Sequence, residues 1–329
     1  MPWARGAGVA VLAVLPLLLA ACQKPPTESA APPSGGSAKG EKPVVALVIK
    51  TLNNPFFTPM REAAQKTAEQ QGVQLQVEAP PNETDYEQQH NLIQNVIAQK
   101  ASAILIAPAD SVGVVPVLVS AQKAGIPVIN IDNRVDAKTA QAAGLKLAGY
   151  VGADNREGGR LAGETLVKLL GGKGQVAILE GIPGADNAEM RKAGAQDAFK
   201  AAPGIKVVDS KTAHWQTAEA ETVFADMLQA NPSIQGVFAA NDMMALGAIQ
   251  AIAAAGKTGK VRVVGYDNLK EAQDAIREGK MDATIEQHPD LMGKEGVALA
   301  KAILDGKRPT KTEVLVPLEV ITKAKLAAK

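Results

Sequence analysis

From Val44 onward, short apolar runs rich in β-branched residues alternate with Ala-rich amphipathic stretches, and no other feature constrains the fold as strongly. Val44–Ile49 is continuously apolar, as a buried strand should be. Thr58-Pro59 then offers a helix cap and an N1 proline, Met60, Ala63, Ala64 and Thr67 give a helical face, and Gly72 ends it. The same unit recurs. Its further strands are expected at Val73–Glu78, Ala103–Ala107, Pro127–Ile131, Leu147–Val151, Gln175–Leu179, Ile205–Asp209, Gly236–Ala239, Val261–Gly265 and Asp282–Glu286. Strands separated by helical stretches of roughly 10–15 residues imply βαβ units and parallel sheets. That number of strands exceeds one small sheet, and 329 residues suffice for two doubly wound α/β domains.

Ligands bind open parallel sheets beyond the carboxyl ends of their strands, so the residues there carry the functional reading. Asn54, Phe56 and Phe57 follow the first strand, and Asp132, Asn133 and Arg134 the fourth. Glu180 leads into a loop that reaches Arg191, and His214 with Trp215 follows the seventh. Asn241-Asp242, Tyr266-Asp267 and Gln287 follow the eighth, ninth and tenth. Only 3% of residues are aromatic, yet aromatics gather at these ends beside amides and carboxylates. A sugar needs such a mixture: planar groups cover its C–H faces, and amides and carboxylates bond its hydroxyls.

The chain opens with a basic start and an apolar run from Val9 to Leu19, ending Leu19-Ala20-Ala21-Cys22. The run is shorter than the roughly 20 residues a permanent span requires, and it fits the apolar core of an export signal. Small residues before the only cysteine resemble the bacterial lipoprotein box, so Cys22 is the expected lipidation site and residues 1–22 the signal. Residues 23–42, rich in Pro, Ser, Gly and Ala, read as a flexible tether. A lone cysteine allows no internal disulfide and no multi-thiolate metal site.

Four strings point to a family: Thr51-Leu52-Asn53-Asn54-Pro55-Phe56-Phe57, Ala240-Asn241-Asp242-Met243-Met244-Ala245-Leu246-Gly247, Val264-Gly265-Tyr266-Asp267 and Ala283-Thr284-Ile285-Glu286-Gln287. In order, spacing and strand-end placement the chain resembles, over about Pro43 to Lys323, the periplasmic pentose- and hexose-binding proteins of the ribose-binding type. The resemblance implies the type I periplasmic binding protein fold, two doubly wound parallel-sheet lobes joined by a three-segment hinge. Crossings would fall near Ala153–Asp154, Gln287–His288 and Pro317–Leu318. One lobe would comprise 43–153 and 288–317, the other 154–287 and 318–329. The first would supply Asn54, Phe56, Phe57 and Asp132, the second Trp215, Asn241, Tyr266 and Asp267, with Gln287 at a hinge. Phe57 and Trp215 would cover opposite sides of the ring.

Three departures from the ribose-type pattern affect the ligand. Ala107 stands where that pattern has asparagine, and Asn133 and Glu189 stand where it has arginines, with Arg134 and Arg191 nearby. Arginine presents a rigid fork of donors. Losing two implies an acceptor-rich cleft and a sugar or polyol other than ribose. If Glu189, Asp132 and Asp267 all face the cleft, an amino sugar is the alternative, since desolvated carboxylates favour a cation. Glu189 and Arg191, about 200° apart on a helix, cannot both point inward, and the alignment favours Glu189.

Several of these residues have plainer readings. Asp242 reads as the N-cap of the helix beginning near Met243, leaving Asn241 for ligand. His90, His214 and His288 lack the spacing of a metal site. Gly171-Gly172-Lys173-Gly174 lacks phosphate-loop spacing and reads as a helix end. No nucleophile–base pair or nucleotide fingerprint argues for an enzyme, and no cofactor is expected. A gene regulator with this fold would need a helix-turn-helix headpiece where this chain has an export signal. A formal net charge of +1 gives no electrostatic case for nucleic acid. The resemblance implies an exported monomer, anchored only through Cys22, that serves an ABC permease with its ATPase; a chemoreceptor or sensor kinase is the alternative partner.

Overall fold

The alternation resolves into two parallel sheets in a computed structural model that describes residues 42–307, 309 and 311–328. Its first half runs β1 (Val44–Val48), α1 (Phe57–Gln70), β2 (Gln74–Glu78), α2 (Tyr86–Ala98), β3 (Ala103–Ile106), α3 (Val115–Lys123), β4 (Val128–Ile131), α4 (Ala137–Ala142) and β5 (Gly149–Gly152). The second half continues α5 (Asn155–Leu169), β6 (Lys173–Glu180), α6 (Asp186–Lys200), β7 (Gly204–Thr212), α7 (Thr217–Ala230), β8 (Ile234–Ala239), α8 (Asp242–Ala254), β9 (Arg262–Val264), α9 (Lys270–Arg277) and β10 (Ala283–Glu286). Then follow α10 (Pro289–Leu304), β11 (Glu313–Leu315), β12 (Glu319–Thr322) and α11 (Lys323–Ala327).

The strand orders are β11-β5-β4-β3-β1-β2 and β12-β10-β9-β8-β6-β7, parallel throughout except where β12 runs antiparallel to β10. The continuous apolar runs are explained by burial on both faces. Val45, Leu47 and Ile49 enter one core with Met60 of α1 and Val297 of α10, while Ala46 and Val48 enter another with Ile93 of α2 and Leu118 of α3. A side chain on either face of β1 is therefore dry, and alternation with polar residues would leave buried groups unpaired.

The chain passes between the sheets three times: between β5 and α5, between β10 and α10, and between β11 and β12. The two lobes and the three-segment connection match the sequence expectation. Strands β11 and β12 were not expected. They are edge strands of three and four residues, too short for a period and formed only because the returning chain finds an open edge on each sheet. The entry to α1 also differs: the helix starts at Phe57 with Phe56 at the N-cap position, so Thr58 lies inside the first turn and does not cap.

Among the described residues, no helix is long and apolar enough to cross a membrane. Cys22 and the expected tether up to Glu41 lie outside the described residues.

Candidate functional site

All parallel strands of a lobe end on one side, and the two sets of ends face each other across a small cavity. Lys50, Asn54, Phe56, Phe57, Glu83 and Asp132 line it from the first lobe. Asn187, Arg191, Trp215, Asn241, Asp267 and Gln287 line it from the second and its hinge.

Aromatic walls come from both lobes. Phe56 and Phe57 meet edge to face, with ring centres 5.0 Å apart at 76°. Across the cavity stands Trp215, 5% exposed, with its six-membered ring against the backbone of Gly181, where any Cβ would overlap it.

Two buried ion pairs sit among these rings. Lys50 Nζ is 3.3 Å from Asp132 Oδ2, and Arg191 Nη1 is 3.6 Å from Asp267 Oδ1. The Arg191 guanidinium is held on three further sides. Nε donates to Asn155 Oδ1 at 2.8 Å, Nη1 donates to the Ala240 carbonyl at 3.0 Å, and the Tyr266 ring lies below at 3.7 Å. Gly158 and Gly159 of α5 make this possible: a Cβ on the first would overlap Tyr266, and on the second the backbone of Arg191. Small residues thus let α5, α6 and the β9 loop close upon one cation.

Burial pushes the Asp267 carboxyl up to about 7, opposed by Arg191 and by the bond that Gln287 Nε2 donates at 2.6 Å. Burial likewise raises the Glu83 carboxyl, opposed by Lys50 and by the bond that Asn54 Nδ2 donates at 2.7 Å. Asn54 Oδ1 accepts from the Phe56 amide at 3.0 Å, so that side chain is oriented at both ends.

Three of the lining residues hold backbone conformations that L-residues rarely adopt: Asp132 (φ 58°), Trp215 (φ 68°) and Asp267 (φ 115°). Such strain persists where surrounding structure over-determines it, and it gathers at binding sites. Several buried polar atoms also have no hydrogen-bond partner among the described residues: Asp132 Oδ2, Asn187 Oδ1, Trp215 Nε1 and Gln287 Oε1. The Asp132 oxygen meets Lys50 only as a charge contact. Since buried polar groups are nearly always bonded, these atoms define a ring of hydrogen-bonding capacity around the cavity.

The structure brings together Asn54, Phe56, Phe57, Asp132, Arg191, Trp215, Asn241, Asp267 and Gln287, as the strand-end reading expected. It places four others elsewhere. Glu189 is 40% exposed, 3.0 Å from Lys192 Nζ, and accepts from the Gly184 amide at 3.3 Å; Arg191 is the residue of that helix turn that faces the cavity. Asn133 is fully buried against Pro108, Ser111 and the Asn187 amide, and does not line the cavity. Tyr266 supports Arg191 from below and does not line it either. Arg134 turns outward to Glu313 at 2.6 Å. The expected acceptor-rich cleft is thereby corrected, because neither Asn133 nor Glu189 contributes and two cations do.

The cap roles of Asn241 and Asp242 are exchanged. Asn241 Oδ1 caps α8 by accepting from the Met244 amide at 2.9 Å, while Asp242 accepts from the Leu269 amide at 2.8 Å and Thr284 Oγ1 at 2.7 Å. Lys50, Glu83 and Asn187 were missed. Lys50 lies two residues beyond β1, and the strand-end rule applied one step earlier reaches it. Glu83 and Asn187 come from a loop and a helix start that leave no local signal.

A family model described as periplasmic binding protein domain matches residues 45–308. The D-ribose/D-allose-binding protein of Pseudomonas aeruginosa is 38% identical over 287 residues, which is 86% of this chain and 89% of that protein. The D-allose-binding periplasmic protein of Escherichia coli is 37% identical, covering 85% of this chain and 89% of its own. The crystal structure of an ABC transporter periplasmic solute binding protein from Actinobacillus succinogenes with bound D-allose superposes with a TM-score of 0.83 and 44% identity, over 88% of this chain and all of that one. The chain belongs to the periplasmic binding protein family, among the sugar-type solute-binding proteins of ABC transporters, and is a binding protein rather than an enzyme.

Proposed function

We propose that the protein captures a neutral monosaccharide of the aldopentose or aldohexose class between its lobes, and delivers it to an ABC permease. The observation that carries this is the ring of unpartnered buried polar atoms between Phe57 and Trp215. Hydroxyls of a pyranose satisfy such acceptors and donors, while its C–H faces suit the aromatic walls. Contacts from both lobes give the closed form its extra affinity, so ligand shifts the open–closed equilibrium.

Charge favours a neutral ligand over an amino sugar. Lys50 and Arg191 already balance Asp132 and Asp267, and burial disfavours a charge on Glu83. With Asn133 and Glu189 outside the cavity, an acceptor-rich cleft no longer argues against ribose, and the similar proteins named for D-allose and D-ribose make these two sugars the first to test. Titration calorimetry with D-allose, D-ribose and D-glucosamine tests the reading. A dissociation constant near micromolar or tighter, about −8 kcal/mol, is expected for a neutral aldose. Heat from D-glucosamine alone, or from none of the three, refutes it.

The Leu19-Ala20-Ala21-Cys22 string supports a lipid anchor on Cys22. Replacing Cys22 by Ser should then move the expressed protein from the membrane fraction to the soluble one; retention in the membrane fraction would sink this part.

A further inference from the structure

Helix α6 carries Asn187 and Arg191, four residues apart and so on one face, into the cavity. Its N-cap position is Ala185, which has no side-chain oxygen to bond the first-turn amides. Helices α7 and α9 of this lobe also lack a side-chain cap, whereas α5 and α8 have one. In the same lobe, α5 is capped by Asp154, which accepts from the Glu157 amide at 3.0 Å, and α8 by Asn241. The first-turn amides of α6 are met instead from the opposite lobe. Asp186 N–H donates to Ser111 Oγ at 3.0 Å, and Asn187 N–H donates to Asn133 Oδ1 at 3.0 Å.

Both acceptors are held ready within their own lobe. Asn133 Nδ2 donates to the Pro108 carbonyl at 2.8 Å and to Ser111 Oγ at 3.2 Å. The turn carrying Asn133 is tied by Asn130, whose Nδ2 donates to the Asn133 carbonyl at 2.7 Å and whose Oδ1 accepts from the Val135 amide at 2.9 Å. The Ser111 carbonyl accepts from the Asp136 amide at 2.8 Å. Oxygen acceptors at a helix N-terminus bond its unpaired amides and also meet the positive end of its dipole.

We propose that Ser111 and Asn133 are positioning residues that cap α6 from across the cleft, so that lobe closure completes a helix its own lobe leaves uncapped and fixes Asn187 and Arg191 over the ligand. The ligand then closes the cleft with help from contacts that never touch it. This deepens the sugar-binding reading and rests on it only for the choice of probe.

The test compares the wild-type chain with Ser111→Ala and Asn133→Ala, by calorimetry with D-allose and by amide exchange resolved to Asp186 and Asn187 with and without the sugar. Each variant should weaken D-allose binding by roughly fivefold, the effect of one lost cap. Exchange should accelerate at Asp186 in Ser111→Ala and at Asn187 in Asn133→Ala, while α7 and α8 in the same lobe keep their protection. A structural defect confined to the first lobe would accelerate α3 and β4 and leave the α6 amides unchanged, and that pattern overturns the proposal. So does unchanged exchange at both amides. If the wild-type chain binds neither D-allose nor D-ribose, the sugar reading falls, and the exchange comparison still decides on the cap.

Discussion

The guanidinium carbon of Arg191 lies 3.7 Å from the centre of the Tyr266 ring, so a cation rests on an aromatic face with no room for water between them. The same cation faces Asp267 and the Ala240 carbonyl, which makes it the hub of the second lobe's half of the cavity. Replacing Arg191 by Met should therefore act twice. It removes a ligand donor, and it leaves Asp267 without its charge partner, a loss of about 3–5 kcal/mol for a buried pair. Binding should vanish, and the melting temperature of the ligand-free protein should drop by several degrees. Arg191→Lys should restore little, since a point charge cannot reproduce bonds to Asn155 and Ala240 together. A lysine variant that binds with wild-type affinity would contradict the hub assignment.

The raised carboxyl of Asp267 predicts a pH dependence. A folded-state value near 7, against 3.8 as the ordinary value, means the folded protein holds this proton more tightly than the unfolded chain. Its contribution to stability is complete below about 4 and is lost as pH rises toward about 7, with a slope of up to ~1.4 kcal/mol per pH unit for one group. Glu83 and Asp242 are shifted in the same direction and add to the slope. Chemical denaturation of the ligand-free protein between pH 4 and 8 should show stability falling with pH across this window. Asp267→Asn should flatten it in part; an unchanged slope in that variant would remove Asp267 as a source.

Lys50 and Asp132 form the other buried pair, and single and double variants separate charge from binding. Lys50→Met should destabilise the protein by about 3–5 kcal/mol by stranding Asp132. The double variant Lys50→Met with Asp132→Leu should recover most of that loss yet bind no sugar. Urea unfolding with a D-allose titration measures both quantities, and independent additive losses would show that the two residues do not interact.

Gly181 is a remote handle on the Trp215 wall. A methyl group there would overlap the indole, so Gly181→Ala should tilt Trp215 and weaken sugar binding by tenfold or more, about 1.4 kcal/mol. The chain has only two tryptophans, Trp3 near the amino terminus and Trp215, which makes intrinsic fluorescence a direct reporter of the wall. A ligand-induced fluorescence change as large as that of the wild type would show that the ring had not moved.

Asp242 provides the control. It bonds the Leu269 amide and Thr284 Oγ1 beneath the cavity and does not line it. Asp242→Ala should cost about 3 kcal/mol of stability by leaving those donors unsatisfied, with D-allose affinity unchanged where the variant is folded. Loss of affinity in a fully folded variant would move Asp242 into the binding machinery.

The sequence by itself determined the two-lobed architecture, because a strand buried on both faces must be continuously apolar and the helices between strands must be amphipathic. Ten such strands in order leave few alternatives. It also determined which chain positions meet at the cleft, since parallel strands bring their carboxyl ends to one side whatever the loops do. Phe57, Trp215, Asp267 and Gln287 were legible on that ground. Direction was not. Glu189 and Arg191 sit on one helix turn, and only the close packing of α6 on Gly159 of α5 turns Arg191 inward and leaves Glu189 to Lys192. Asn133 follows a strand end as Asp132 does, but the positive φ of Asp132 sends the two side chains different ways, one to the cavity and one to α6. Lys50 and Glu83 acquire their roles only through partners far along the chain. Local pattern fixes where the backbone goes; which side chain faces a shared cavity is settled by packing between elements that the pattern does not record.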